Sequence, residues 1–249
     1  MTADPLAPLL DLPGVRDGVD ATRVAVDALL NHRTLRRNSA EVSTESSLRG
    51  AWASAWLSGA EYPLDEVRAG DVAADPTVQG ALRAQAAIGS LTDTWSRAPR
   101  QVLARLHVLA AADLVEDETL LGRPSPGTAD RLDTLAAVLD ATSAPAVVVA
   151  AVVHGELLGL DAFAPSSGVV ARAAVRLTVI ERGLDPKSLV CIEAGHRELA
   201  DGYVTALTGY RSGTPEGIAE WIRHCCDAAA AGARETTAIC EAILRGQEQ

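Results

Sequence analysis

The chain has 249 residues, enough for one large domain or two small ones with a real core. Apolar residues make up 48% but aromatics only 3%, so the core is built from Ala, Leu and Val, and an alanine- and leucine-rich chain points to an all-α fold. The formal net charge of −11 argues against a nucleic-acid partner, whose phosphates are neutralised by Lys and Arg, and against docking on an anionic membrane.

Residues 1–14 are rich in proline and aspartate and read as irregular. The beginning, MTADPLAPLLDLPG, has neither a basic segment nor a long apolar run, so no signal peptide is expected. A helix is predicted over about 15–32, with Val19, Val24, Val26, Leu29 and Leu30 on its apolar face, and a second over about 40–58. In that second helix Ala51, Ser54, Ala55 and Ser58 form a stripe of small residues that lets another backbone come close. "PLDEVRAG" reads as a short helix opened by proline.

Helices follow at 76–94 and 99–113, the latter opened by Pro99, and "LLGRPSPGTAD" is the clearest loop. Two more are predicted at 129–142 and 145–159. The second is apolar nearly all round, as a central helix is. Its β-branched Val147–Val149 leave a buried strand as the alternative, and its length favours helix. After a loop at 161–168 a helix runs to about Arg182, stopped by Gly183. Two long helices close the chain, about 188–210 and 214–245, with Thr214 and Pro215 as N-cap and first helical residue. The organisation read from this is an N-terminal helical extension over 1–60 and a helical core over 61–249.

Cys191, Cys225, Cys226 and Cys240 form no CxxC pair and no zinc spacing. They read as small apolar residues in a reducing compartment, and a cytoplasmic protein is expected. No metal site is expected. His154 reads as a core residue, and His196, with no second histidine at metal spacing, as lying on a solvated face. Trp52, Trp56, Trp95 and Trp221 read as packing anchors; Trp52 and Trp56, one turn apart, have the alternative of facing a partner.

The loop before the eighth predicted helix carries the chemistry. Ser166, Ser167 and Gly168 stand where the unpaired N–H groups and partial positive charge of a helix start admit an anion. Arg172 and Arg176 lie on nearly one face, one turn apart, and like charges there repel by a few tenths of a kcal/mol. They call for acidic partners or a bound anion. Two readings follow: a phosphate or nucleotide subsite, or a serine cap with two arginines paired to nearby carboxylates.

This loop resembles the core of the Fic (Fido) family, whose active members carry His-Pro-Phe, an acid, then Gly-Asn-Gly-Arg and a second Arg. Phe163, Gly168 and Arg172 match that pattern. Asp161 stands at the place of the catalytic histidine, Pro165 at that of the magnesium-binding acid, Ser167 at that of the asparagine, and Val169 at that of the first phosphate-binding arginine. The approach "PAVVVAAVVHGELLGLDAF" and the closing "HRELADGY" and "EGIAEWIRHC" are similar to the helices flanking that core. Upstream, residues 48–59 of "SLRGAWASAWLSGAEYPLDEV" resemble the family's inhibitory helix: Ser54 and Gly59 match, and Ser58 replaces the inhibitory glutamate. The likeness spans about residues 40–245.

The resemblance implies a Fic-like helical fold and, in active relatives, transfer of AMP or another phosphate-containing group to a protein hydroxyl. A carboxylate with a reference pKa near 3.9 is a weak base at pH 7, proline offers no metal ligand, and valine offers no fork for phosphate. The expectation is therefore a degenerate member acting as a regulatory or interaction module, with a protein partner and a homodimer as its associations. A divergent transferase using Asp161 or Glu156, and a nucleotide sensor, are the alternatives. No cofactor is expected; magnesium with a nucleotide enters only with the transferase.

Overall fold

The computed structural model describes residues 3–247. Among them the chain forms eleven α-helices and no strand: α1 Val15–Leu30, α2 Leu35–Trp56, α3 Leu64–Ala69, α4 Pro76–Trp95, α5 Pro99–Ala111, α6 Ala129–Ala141, α7 Ala146–Gly159, α8 Ser167–Glu181, α9 Ile192–Glu198, α10 Ala200–Arg211 and α11 Pro215–Gln247.

The local signals act where the sequence places them. Asp75 caps α4 by accepting from the N–H groups of Thr77 and Val78, with Pro76 behind it. Thr214 Oγ accepts from Gly217 N–H at the start of α11. Gly183 takes φ +76° just beyond α8, a conformation that costs glycine little. The apolar run at 146–159 is a helix, and length decides against the strand alternative.

α7 and α8 pack on each other at the centre and are buried along most of their length. Their two sides close two cores. On one side Val148, Val175 and Val179 meet α1, α9, α10 and α11 around Trp221. On the other, Val153, Leu157, Val170 and Leu177 meet α2, α4, α5 and α6 around Leu103 and Leu106. α2 lies against α4 and α9, and α1 runs along α11. No helix among the described residues is long and apolar enough to cross a membrane.

Four expectations change. Val24, expected on the apolar face of α1, is 70% exposed, because it stands two residues from both buried Thr22 and Val26 and so on the opposite side of the helix. The second helix begins at Leu35 rather than 40, its first turns marked by a non-helical Asn38 and carrying the charged Arg36 and Arg37 in place of an apolar face. The helix expected over 188–210 is two. Asp185 accepts from the N–H groups of Leu189 and Val190, holding 185–191 out of the helix, and Leu199 (φ −102°, ψ 26°) separates α9 from α10. His196, expected on a solvated face, is 1% exposed. The reason is the crossing of α9 over α11. A Cβ on Gly195 would stand 1.9 Å from the carbonyl oxygen of Ala228, and one on Gly232 would stand 2.4 Å from that of Cys191. Two glycines thus bring the backbones together and draw His196 inside.

Candidate functional site

The loop between α7 and α8 is braced from both sides. Ser167 Oγ accepts from the N–H of Phe163, and Ser166 N–H donates to the Phe163 carbonyl. Ser125 donates its N–H to the carbonyl of Ala162 and its hydroxyl to that of Asp161. Phe163 is buried against His107, ring centroids 5.4 Å apart. Ser167 therefore closes the loop on itself, a role its position alone did not reveal. Asp161 is exposed, with φ +49°. Pro165 is exposed, and Val169 is buried in the second core. Glu156 takes two hydrogen bonds from Arg131 Nη2 and one from the Tyr210 hydroxyl.

The two arginines of α8 have different surroundings. Arg176 is 1% exposed and forms a fork on Glu193 of α9, with Nη2 2.7 Å from Oε2 and Nε 3.1 Å from Oε1. Gln85 of α4 adds a bond to the same Oε1. Burial alone would raise the Glu193 pKa; the charge and hydrogen bonds of Arg176 outweigh it and hold the carboxyl below its ordinary value. Neither the helical period nor the spacing of 17 residues marked Glu193 as this partner. α2 lies close to this pair at Gly50, where a Cβ would come within 2.8 Å of Arg176 Nη2.

Arg172 is 2% exposed, and every partner it has is neutral. Nε donates to Ser54 Oγ (2.9 Å), Nη2 to the Ser54 carbonyl (2.7 Å) and Ser58 Oγ (2.6 Å), and Nη1 to the Tyr203 hydroxyl (3.3 Å). Ser58 in turn donates to the Ser54 carbonyl. Among the described residues no carboxylate lies within ion-pair distance of Arg172. Its guanidinium sits over the first turn of α8: a Cβ on Gly168 would meet Nη2 at 3.0 Å, Nη1 at 3.1 Å and Ser58 Oγ at 3.2 Å. Ser166 stands in the same turn, buried, its hydroxyl without a partner.

The end of α2 thus closes over the loop. Ser54 and Ser58 grip Arg172, and Gly59, at φ +96°, turns the chain away. Two residues before each of these serines, on another side of the helix, Trp52 and Trp56 hold the guanidinium of Arg197 at 4.2 and 4.8 Å, and Trp52 Nε1 donates to the Tyr62 carbonyl.

No family model matches the sequence, and no curated protein matches it. Solved structures do match the folded chain. A Fic family protein from Desulfovibrio desulfuricans G20 superposes with a TM-score of 0.71 at 18% identity, over 91% of this chain and 75% of that one. A fragment of Fic-1 from C. elegans gives 0.74 at 16% identity, over 94% and 75%. A point variant of that fragment gives 0.69 at 16%, over 96% and 75%. This chain has the Fic fold.

Within that fold, the contact between α2 and Arg172 falls on the residues that resemble the family's inhibitory helix and motif arginine, with hydroxyls where the resemblance leads one to look for a carboxylate. The residues present do not fit magnesium. Pro165 has no ligand side chain at the place the resemblance gives to the acid, and a guanidinium lies over the first turn of α8.

Proposed function

We propose that the protein is a Fic-fold scaffold without transferase activity, acting as a regulatory or protein-interaction module, with an anion pocket at Arg172 as the remnant of a phosphate site. The observation that carries this reading is a buried guanidinium bonded only to neutral groups, over the first turn of a helix. Removing a charge from water costs several kcal/mol unless it is paired, and hydroxyls and a carbonyl repay this only in part. A phosphate entering between α8 and the end of α2 supplies the missing charge. The α8 N–H groups add to its attraction. Ser58, exposed at the rim, is the group it displaces.

The same features argue against turnover. Val169 is committed to the core, Ser167 is committed to bracing the loop, and Asp161 is a carboxylate open to water. The four cysteines are unpaired and buried, in keeping with a reducing, cytoplasmic setting. Regulation through a homodimer or another protein is the role this leaves for a folded, non-catalytic chain.

Isothermal titration with inorganic phosphate and with ATP tests the pocket. Binding that Arg172→Ala abolishes and Arg172→Lys weakens supports it. No heat with any phosphate ligand removes the pocket and leaves the scaffold alone, while light scattering reports whether that scaffold is a dimer.

A further inference from the structure

Away from the loop, three helices bring donor atoms together inside the first core. His154 of α7, His196 of α9 and Cys225 of α11 are each buried, and their donor atoms all lie within 4.8 Å of one another. Between them is a cavity of about 10 Å³, lined also by Val147, Ala150 and Val179. Its size suits one atom or one water. His154 Nδ1 is fully buried and has no hydrogen-bond partner. An orphaned ring nitrogen at 0% exposure costs roughly 1–3 kcal/mol unless something accepts its proton or takes its lone pair.

The opposite ring atoms are held. His154 Nε2 lies 2.7 Å from the Tyr203 hydroxyl, and His196 Nδ1 lies 3.2 Å from His224 Nε2. Fixing one ring nitrogen by an outer partner and leaving the other free is how metal-ligating histidines are oriented. His224 stacks on His196 with ring centroids 5.3 Å apart and is only partly buried, so it marks the side from which an ion would enter.

We propose that His154, His196 and Cys225 form a buried three-coordinate site for a soft monovalent metal ion, Cu⁺. Two imidazoles and a thiolate select Cu⁺ or Zn²⁺ over harder cations, and the apolar lining supplies no oxygen ligand. Charge separates the two. Zn²⁺ with one thiolate keeps a net positive charge in a cavity without a carboxylate, beside Tyr203, which already accepts from the Arg172 guanidinium. Cu⁺ with one thiolate is neutral. Burial, helped by the charge of Arg172, pushes the His154 pKa well down, and burial pushes that of His196 well down too, so both rings offer lone pairs at neutral pH. Burial holds the Cys225 thiol protonated, well above its ordinary value, so the ion replaces a proton: S–H and Cu⁺ give S–Cu, and H⁺ leaves to solvent. No electron is transferred. Three donors about 2.0–2.3 Å from one ion stand roughly 3.5–4 Å apart, so the rings and thiol close by about an ångström around it.

The test is an anaerobic titration of the full chain with Cu⁺ against the chelator bicinchoninate. One ion held per chain, with affinity rising as pH rises and one proton released, is the expected result. Cys225→Ser and His196→Ala should each weaken binding by at least about 10–100-fold, the loss that even outer partners of a metal site cause. Cys226→Ser, whose thiol faces Thr22 instead, should leave it unchanged. X-ray absorption on the unaltered protein needs no variant to fold and should give one sulfur and two nitrogens around copper. No competition with the chelator, a copper shell without sulfur, or Zn²⁺ held in preference to Cu⁺ would overturn the site.

Discussion

Replacing Glu193 by Gln keeps the shape of the side chain and removes its charge, leaving Arg176 buried without its ion-pair partner. Both groups are almost fully enclosed, at 2% and 1% exposure, so water cannot substitute for the lost partner. The amide also sets an N–H₂ against a donor, since Arg176 donates to both carboxylate oxygens and Gln85 to Oε1. Breaking a buried pair from one side costs about 3–5 kcal/mol. In a chain of this length each kcal/mol moves the midpoint by roughly 2–4 °C, so Tm should fall by about 6–20 °C. Differential scanning calorimetry at pH 7 measures it. The folded carboxyl titrates below its ordinary value, so its contribution is complete above the unfolded pKa of about 4.3 and is lost as pH falls through the folded one. The gap between the two proteins should therefore close in acid. Replacing both members, with Arg176→Met and Glu193→Met, should recover most of the loss. A Glu193→Gln protein whose Tm stays within about 1 °C of the original would refute the pairing as a source of stability.

Four further outcomes follow from the same geometry. Gly50→Ala gains about 1 kcal/mol of helix propensity but drives a Cβ to 2.4 Å from Gln85 Nε2, so thermal melting should show a net loss. Ser58→Asp sets a carboxylate beside Arg172; it should raise Tm and abolish phosphate binding in calorimetry. Val169→Arg, which restores the residue type of the motif, should destabilise rather than rescue, by about 3 kcal/mol or more in urea unfolding, because that position lies in the core. His154 and His196 are held neutral on folding. Their contribution is present above the unfolded pKa near 6.5, and stability should fall by roughly 2–3 kcal/mol per pH unit below it, a slope that His196→Phe should reduce.

Much of the frame was legible in residues whose effect is local. Asp75 with Pro76, Thr214 with Pro215 and Gly183 act within one turn of chain, so sequence alone places helix ends there. Phe163, Gly168 and Arg172 announced the loop, and Ser54 and Ser58 announced the helix that meets it. What escaped depends on contacts between distant segments. Glu193 meets Arg176 across 17 residues, a contact set by how α9 packs against α2 and α11. The polar-looking run "EAGHRELADGY" hid His196, because burial there is set by the fit of Gly195 against α11 and not by the apolar period. Leu199 breaks the helix with no proline or glycine at the break. His154, His196 and Cys225 lie on three helices, so no spacing rule for a single segment could join them.

The proposed absence of transferase activity is tested most directly by incubating the purified protein, alone and with lysate, with labelled nucleoside triphosphates and Mg²⁺ or Mn²⁺. The account predicts no covalent label on any protein, together with phosphate or nucleotide binding that depends on Arg172. Label that accumulates with time and disappears in Asp161→Ala would contradict it.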